Sequence, residues 1–292
     1  MSECSIDLTF SPLDEHDRQY DARGSVADFD ACVREYAELS VLARQQCVGI
    51  HDLSYGMRRA ERLDIFPVAS SQHPSPVLIF IHGGYWREQT KENAPLMAKV
   101  FTDAGVAIAT LEYPLAPEAS LAEIVHATRS GIAWLYHHAS AYGIDPERIY
   151  VGGSSAGGHL MGMSIAPGWQ ASYAVPVDVV KGGLGLSGLY DIQPLFNTKV
   201  NGWLRMHPEQ LRSLSPIFML PDQDISLVLA VGGMETDGFK NQTAAYEAAC
   251  AAANVKYMRV QTPHCNHFNL LCELAKADSP LTHATLQMIH QR

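Results

Sequence analysis

Apolar and polar positions follow two rhythms along the chain, one typical of helices and one typical of strands. Residues 26–46 carry apolar side chains at helical spacing, which predicts one or two helices. The segment 62–68 alternates between apolar and polar residues and predicts an early strand. The run PVLIFI at 76–81 is almost wholly apolar, as expected for a strand buried on both faces of a parallel sheet.

The same alternation of strand and helix continues to the end of the chain. Ser120 followed by Glu123 predicts a capping box at the start of a helix over 120–140. Further strands are predicted over 106–113, 148–153, 179–188, 225–233 and 255–260, with helices over 156–166, 241–253 and within 266–292. This order predicts an α/β protein with a mostly parallel, doubly wound sheet and helices on both faces. Ligands of such sheets bind beyond the carboxyl ends of the strands.

Length and composition limit the classes of protein that fit. We expect a single domain over residues 1–292, because no Gly/Ser run, Pro-rich spacer, charge block or repeat divides the chain. The net charge is −10 and the basic residues are scattered, which argues against a nucleic-acid partner. The sequence shows neither a secretory signal nor an apolar run of the roughly 20 residues that span a bilayer. Six cysteines do not suggest a disulfide framework. We therefore expect a cytoplasmic protein with no membrane partner, and a homo-oligomer stays open.

Two serines stand among four glycines in VGGSSAGG, residues 151–158, directly after the predicted strand 148–153. One frame fits the pattern G-x-S-x-G and places Ser155 at its centre. In that pattern small neighbours allow a sharp turn between strand and helix, which holds the serine hydroxyl above the sheet. A serine nucleophile also needs a base, a group that orients the base, and donors for the developing oxyanion.

Candidates for these supporting groups follow other predicted strands. Gly83 and Gly84 in HGGYW can offer backbone N–H groups that form an oxyanion hole together with the N–H of Ala156, although a plain turn also fits. The base should follow the last strand, where VQTPHCNHFNLL contains two histidines. We favour His267 over His264, because His267 directly precedes a predicted helix and would lie on a loop at the strand ends.

The orienting acid should lie between the nucleophile and the base. Glu235 and Asp237 both follow the predicted strand 225–233, and spacing does not choose between them. A metal cluster is a weaker interpretation of His264, Cys265, His267 and Cys272, because the H-C-x-H-x₄-C spacing matches no usual zinc pattern. The glycine cluster also lacks the Gly-Lys-Ser/Thr ending of a phosphate loop. We therefore expect no metal and no organic cofactor.

Six segments in order give the chain a family resemblance: HGGYW, GGSSAGGHL, GLYDIQPL, SLSP, VGGMETDGFKNQ and NHFNLL. Over about residues 50–290 the chain resembles α/β-hydrolases, and more closely the arylformamidase (kynurenine formamidase)-like branch near the hormone-sensitive-lipase group. QYDARGSVADF is similar to the entry segment of bacterial members. The resemblance implies Ser155 as nucleophile, His267 as base and Gly83 and Gly84 in the oxyanion hole. It favours Glu235 as the acid and keeps Asp237 as the alternative.

The helical spacing described above predicts an N-terminal helical segment at about 26–48, and the resemblance implies a cap insert at about 188–222. Tyr190 and Asn201 in the insert are candidates for substrate contact or for structural anchoring. Tyr85 and Trp86 would line an aromatic wall, or else pack under the insert. We expect a serine hydrolase that cleaves a small neutral or aromatic amide or ester, with formyl-aryl amides favoured. The alternatives are a general short-chain carboxylesterase and a non-catalytic ligand-binding protein on the same fold.

Overall fold

A computed structural model describes residues 6–69, 73–221 and 224–291. Its centre is an eight-stranded sheet with the order β1-β2-β4-β3-β5-β6-β7-β8. The strands β1 and β2 and the pair β2 and β4 are antiparallel, whereas every other neighbouring pair is parallel. The strands are β1 Ile50–Ser54, β2 Arg62–Phe66, β3 Ser75–Ile81, β4 Ala107–Leu111, β5 Ile144–Ser154, β6 Val180–Leu186, β7 Ser226–Gly232 and β8 Lys256–Thr262. The prediction of a mostly parallel α/β sheet is confirmed.

Helices cover both faces of this sheet. They are α1 Leu13–Gln19, α2 Phe29–Gln46, α3 Ala98–Asp103, α4 Leu121–His138, α5 Ala156–Ile165, α6 Asn201–Leu204, α7 Pro208–Leu211, α8 Asp237–Ala252, α9 Asn269–Cys272 and α10 Pro280–His290. Along β3, Ile79 and Ile81 belong to the hydrophobic core that also contains side chains of α4, α5 and α8, while Leu78 and Phe80 belong to the core that contains side chains of α2, α3 and α10. Successive strand residues point to opposite faces, so a continuously apolar strand has a hydrophobic core on each side.

The helices and strands predicted from local sequence patterns agree with the structure in some places and miss elements in others. The capping box is present, because the Ser120 side chain accepts from the Glu123 N–H while the Glu123 carboxylate accepts from the Ser120 N–H. The predicted helical region 26–46 is one helix, α2, whose N-terminus is capped by Asp28. The pattern did not predict β1, α1 or α3. The edge strand β1 is mostly exposed and therefore shows no regular alternation.

The N-terminal segment that precedes α2 and contains α1 packs against distant parts of the chain above the strand ends. The carbonyl of Gln19 accepts from the Thr236 hydroxyl at 2.6 Å, and its side-chain oxygen accepts from the Gly238 N–H at 3.0 Å. Asp17 accepts from the N–H of Lys199 at 2.9 Å. The predicted insert 188–222 contains α6 and α7 in its described part. Segment and insert therefore form adjoining walls above the carboxyl ends of the strands.

Within the described ranges, no helix combines the length and the apolar character needed to cross a bilayer.

Candidate active site

Ser155 lies on the turn between β5 and α5, with backbone angles φ +58° and ψ −117°. Non-glycine residues rarely adopt a positive φ, and the strain persists only where the surroundings enforce it. Here the Ser155 N–H donates to the Leu186 carbonyl at 2.8 Å. A Cβ at Gly153 would lie 2.2 Å from the Gly157 oxygen, and one at Gly157 would lie 2.0 Å from the Ile81 oxygen. The two glycines of G-x-S-x-G are thus sterically required for this turn.

His267 and Glu235 meet although they are 32 positions apart. The Nδ1 of His267 lies 2.6 Å from Oε2 of Glu235, and both side chains are buried. The loop that carries Glu235 follows β7, and the loop that carries His267 follows β8. Because a carboxylate accepts, Nδ1 carries the hydrogen, and Nε2 then has a free lone pair. The structure therefore brings together the candidate base and the candidate orienting acid.

The remaining carboxylate oxygen of Glu235 also has partners. Oε1 accepts from the Ser187 hydroxyl and from the Gly232 N–H, both at 2.6 Å. Hydrogen bonds of this kind compensate a carboxylate for the loss of water. Asp237, the alternative acid, is 69% exposed at the start of α8 and lies beside Lys240. His264 is likewise exposed, so the structure places both alternatives away from the buried pair.

The candidate oxyanion donors lie beside Ser155. A Cβ at Gly83 would be only 3.3 Å from the Cβ of Ser155 and 2.9 Å from the Ser154 oxygen. Gly84 has φ +89°, and a Cβ there would lie 2.2 Å from the Glu88 oxygen. Ala156 is the first residue of α5, where an N–H has no partner inside the helix. Gly83 thus lies against Ser155, Ala156 adjoins it in the chain, and Gly84 follows Gly83 on the same cavity-lining loop.

A cavity of about 680 Å³ opens above these residues. Ser155, His267, Gly83 and Gly84 all line it. Its apolar walls come from α2, the loop after β3, the insert and the loop after β8, and they are formed by Phe29, Tyr36, Tyr85, Trp203, Phe268 and Leu271. Four acidic and four basic residues also line the cavity, namely Asp14, Asp17, Asp21 and Glu88 with Arg18, Arg23, Arg87 and Lys199.

Of the four predicted substrate contacts, one lines the cavity, two lie in the packed interior and one is partly buried outside the cavity lining. Tyr85 lines the cavity, and its hydroxyl donates to the carbonyl of Tyr20. Trp86 is fully buried against His159, and Tyr190 is fully buried and stacked on Tyr246.

Asn201 is partly buried; its side chain donates to the carbonyl of Phe196 and accepts from the N–H of Met206. The cavity lining does not include Trp86, Tyr190 or Asn201. Structural anchoring is the interpretation that fits their contacts, because each is committed to neighbouring protein groups.

Sequence reasoning missed several groups that shape the site. Ser187 follows β6 and bonds to the acid, yet a single serine near a glycine-rich strand carries no signal of that role. Phe29 and Tyr36 sit on a helix whose apolar spacing indicated only packing. Trp203 lies in the insert and donates from its indole nitrogen to the Tyr85 carbonyl at 3.1 Å. Among the described residues, no three or more His, Cys, Asp or Glu side chains cluster as metal ligands would.

Several known proteins are similar to this chain in sequence or in architecture. The BD-FAE family model matches residues 63–169. Kynurenine formamidase of Salmo salar is 28% identical over 299 residues, covering 99% of this chain and 97% of that protein. An isoprenylcysteine alpha-carbonyl methylesterase of Arabidopsis thaliana is 30% identical over 148 residues, covering 48% of this chain and 34% of that protein. The crystal structure of a proposed thioesterase from Silicibacter sp. TM1040 superposes with a TM-score of 0.80 at 25% identity, covering 94% of this chain and 98% of that one.

The chain has the α/β-hydrolase fold and is similar to kynurenine formamidases over nearly its whole length. It is an enzyme of the class that hydrolyses amides or esters, and its substrate is a small molecule. This hydrolase has the site described above at the carboxyl ends of β3, β5, β6, β7 and β8, where the fold places ligands.

Proposed function

We propose that this hydrolase cleaves small aryl formamides through a triad of Ser155, His267 and Glu235. The observation that carries the proposal is the 2.6 Å contact between His267 and Glu235 at the edge of a cavity that Ser155 also lines. A neutral serine hydroxyl is a poor nucleophile without such a base. The similarity to a kynurenine formamidase over nearly the whole chain supports the choice of amide.

The proposed reaction proceeds in two halves. The Ser155 hydroxyl attacks the formyl carbonyl while Nε2 of His267 takes its proton, and the C=O π electrons move onto the oxygen. The N–H groups of Gly83, Gly84 and Ala156 stabilise this oxyanion. Collapse of the intermediate breaks the C–N bond, and His267 gives its proton to the leaving aryl amine. Water then attacks the formyl-enzyme with the same base, which releases formate and restores Ser155.

Glu235 fixes the reactive tautomer in this scheme. Its bond to Nδ1 keeps the hydrogen on that nitrogen and directs Nε2 towards the proton of Ser155. The carboxylate also stabilises the imidazolium that forms after proton transfer. The two further donors on Glu235, Ser187 and Gly232, hold the carboxylate in place.

The cavity walls favour an aromatic leaving group. Phe29, Tyr36, Tyr85, Trp203 and Phe268 offer ring faces and edges close to the candidate nucleophile. Aromatic rings pair favourably at offset or edge-to-face geometry, in addition to the area that they bury. The four acidic and four basic residues that line the cavity have no net formal charge, which suits a neutral or zwitterionic substrate better than a strongly charged one.

Short-chain carboxylesterase activity is the second candidate. The methylesterase similarity favours it, because a serine, a base and an oxyanion hole cleave esters by the same steps. The cavity rather than the triad would then decide between an ester and an amide. We further propose that residues 1–292 work as one domain in the cytoplasm, on the sequence features given above.

The test compares initial rates of wild type and Ser155→Ala on N-formylkynurenine, formanilide, p-nitrophenyl acetate and p-nitrophenyl butyrate. We expect Ser155-dependent turnover of the formyl amides with a kcat/KM well above that of the esters. Ser213→Ala, which changes an exposed serine of the insert, is the matched control and should behave like wild type. Ser155-dependent turnover of esters alone would overturn the aryl-formamide assignment and leave the triad in place. Turnover that survives in Ser155→Ala would overturn the triad.

A further inference from the structure

Tyr113 lies fully buried beneath the loop that carries the candidate oxyanion donors. It follows the end of β4 by two residues, next to β3, from which the loop emerges. Its hydroxyl lies 3.1 Å from the carbonyl oxygen of His82 and 3.1 Å from that of Gly83. Tyr113 does not line the cavity. The hydroxyl therefore contacts only the back of the loop.

Because a peptide group is planar, the direction of each carbonyl also determines the direction of the next N–H group. In a trans peptide the C=O of one residue and the N–H of the next point in opposite directions. The two peptides that join His82, Gly83 and Gly84 are trans, since the cis bonds of the described residues lie elsewhere. Carbonyls that point towards Tyr113 therefore direct the N–H groups of Gly83 and Gly84 away from it.

We propose that Tyr113 is a positioning residue, whose single hydroxyl hydrogen is shared between two consecutive carbonyls and orients them so that the Gly83 and Gly84 N–H groups converge on the substrate oxygen. This inference rests on the proposed function, because an oxyanion forms only if Ser155 attacks a carbonyl. Within the described residues neither N–H donates to another group of the protein, so both are available to a ligand. Burial raises the pKa of Tyr113, which keeps its hydroxyl protonated and able to donate.

The His82 ring reinforces the same arrangement. It stacks on Tyr113 with ring centroids 4.3 Å apart and planes 10° apart. Its Nδ1 lies 3.0 Å from the Gly83 carbonyl, and its Nε2 lies 3.0 Å from the Glu112 carboxylate. The ring therefore bridges the loop and the Glu112 carboxylate. The Gly83 carbonyl thus lies within hydrogen-bond distance of both the His82 ring and the Tyr113 hydroxyl.

Glycine at 83 makes an external support necessary. A side chain there would clash with the Ser154 carbonyl and crowd Ser155. The loop therefore cannot gain rigidity from a larger residue, and glycine has the greatest backbone freedom to lose. Preorganised donors stabilise a developing oxyanion without reorganising during the reaction. The Tyr113 hydroxyl supplies that preorganisation from beneath the loop.

The experiment removes the hydroxyl alone with Tyr113→Phe. The matched control is Tyr150→Phe, because Tyr150 is also fully buried and its hydroxyl also donates to a carbonyl, that of Ile289, at 3.1 Å. The kinetics use whichever substrate the wild type turns over best. We expect kcat to fall about tenfold or more in Tyr113→Phe with KM within about twofold, because losing a whole oxyanion donor costs about 10²–10³ in kcat. Tyr150→Phe should keep the wild-type kcat.

A boronic acid provides a readout that folding defects do not produce. It adds to the serine hydroxyl, and its tetrahedral adduct places an oxygen in the oxyanion hole. Its Kd should weaken in Tyr113→Phe by about the same factor as kcat falls and stay unchanged in Tyr150→Phe. Equal kcat and equal boronate affinity in the two variants would overturn the role of Tyr113. Full activity in Ser155→Ala, measured alongside, would overturn the proposed function itself.

Discussion

The inner and outer halves of the cavity are built differently. The inner half comprises Ser155, His267 and the loop of Gly83 and Gly84, with Glu235 behind His267, and the side chains of this triad candidate are buried at strand ends. The outer half comprises the N-terminal segment and the insert, with exposed ion pairs such as Arg23 with Glu88. Breaking a buried hydrogen bond costs free energy because it leaves a polar group without a partner, whereas an exposed ion pair contributes little free energy. The reaction chemistry should therefore depend on few inner residues, and substrate preference on many outer ones.

The largest effect is expected where the inner half loses its acid. Glu235→Gln replaces the acceptor on Nδ1 of His267 with a group that can also donate, which favours the wrong tautomer. We expect kcat to fall about 10³–10⁴-fold, as for other buried triad acids. Asp237→Asn changes an exposed carboxylate two residues away and should keep kcat within about twofold. Steady-state kinetics of both variants check this, and a larger loss in Asp237→Asn would reverse the assignment of the acid.

The second largest effect is expected in the pH dependence of stability, and it involves a buried histidine of α5. His159 lies on α5, fully buried, and burial lowers its pKa to about 4. A histidine in the unfolded chain has a pKa of about 6.5. As the pH falls, this histidine is therefore protonated in the unfolded chain before it is protonated in the folded protein. The contribution of neutral His159 to the free energy of unfolding is therefore full above about pH 6.5 and is lost as the pH falls towards about pH 4, at roughly 1 kcal/mol per pH unit.

Urea unfolding between pH 4 and pH 7 measures this loss. His159→Gln should flatten the dependence of the unfolding free energy on pH. His283→Gln, at an exposed histidine of α10, should leave the slope unchanged. Equal slopes for wild type and His159→Gln would show that His159 is not the titrating group.

A smaller effect is expected on the aromatic wall. Trp203→Ala should lower kcat/KM for formanilide about tenfold, mainly through KM, because it removes ring contact with the leaving group. A short aliphatic ester such as ethyl acetate should lose less. Trp134→Ala, at a tryptophan stacked on His138 away from the cavity, is the control. An equal loss on the aliphatic and aromatic substrates would indicate general damage rather than a ring contact.

The smallest effect is expected at the rim. Arg23→Ala removes an ion pair whose two side chains are 59% and 49% exposed. Such pairs are typically worth less than about 1 kcal/mol, so kcat/KM for formanilide should stay within about threefold at physiological salt. Parallel assays of Arg23→Ala and Arg59→Ala, the latter at an exposed arginine away from the cavity, check this. A loss approaching that of Trp203→Ala would place Arg23 in substrate recognition.

Sequence and structure agree best where local pattern and topology act together. Ser155 is predicted by its glycine neighbours, and the chain order of the fold narrows the base and the acid to two candidates each. Contacts between distant segments leave no local signal, which is why the bond from Ser187 to Glu235 was not foreseen. Trp86 and Tyr190 resemble cavity aromatics in the sequence, yet the core buries both. Tertiary packing, rather than residue type, decides which aromatic side chains reach the ligand.

The most direct test of the central claim is to locate the nucleophile by covalent capture. Diethyl p-nitrophenyl phosphate reacts with an activated serine hydroxyl, and tandem mass spectrometry of the peptide containing VGGSSAGG distinguishes Ser154 from Ser155. We predict a phosphoryl group on Ser155, loss of activity in proportion to labelling, and slow labelling in Glu235→Gln. Inactivation with the label on any other residue, or undiminished turnover by fully labelled protein, would contradict a triad centred on Ser155.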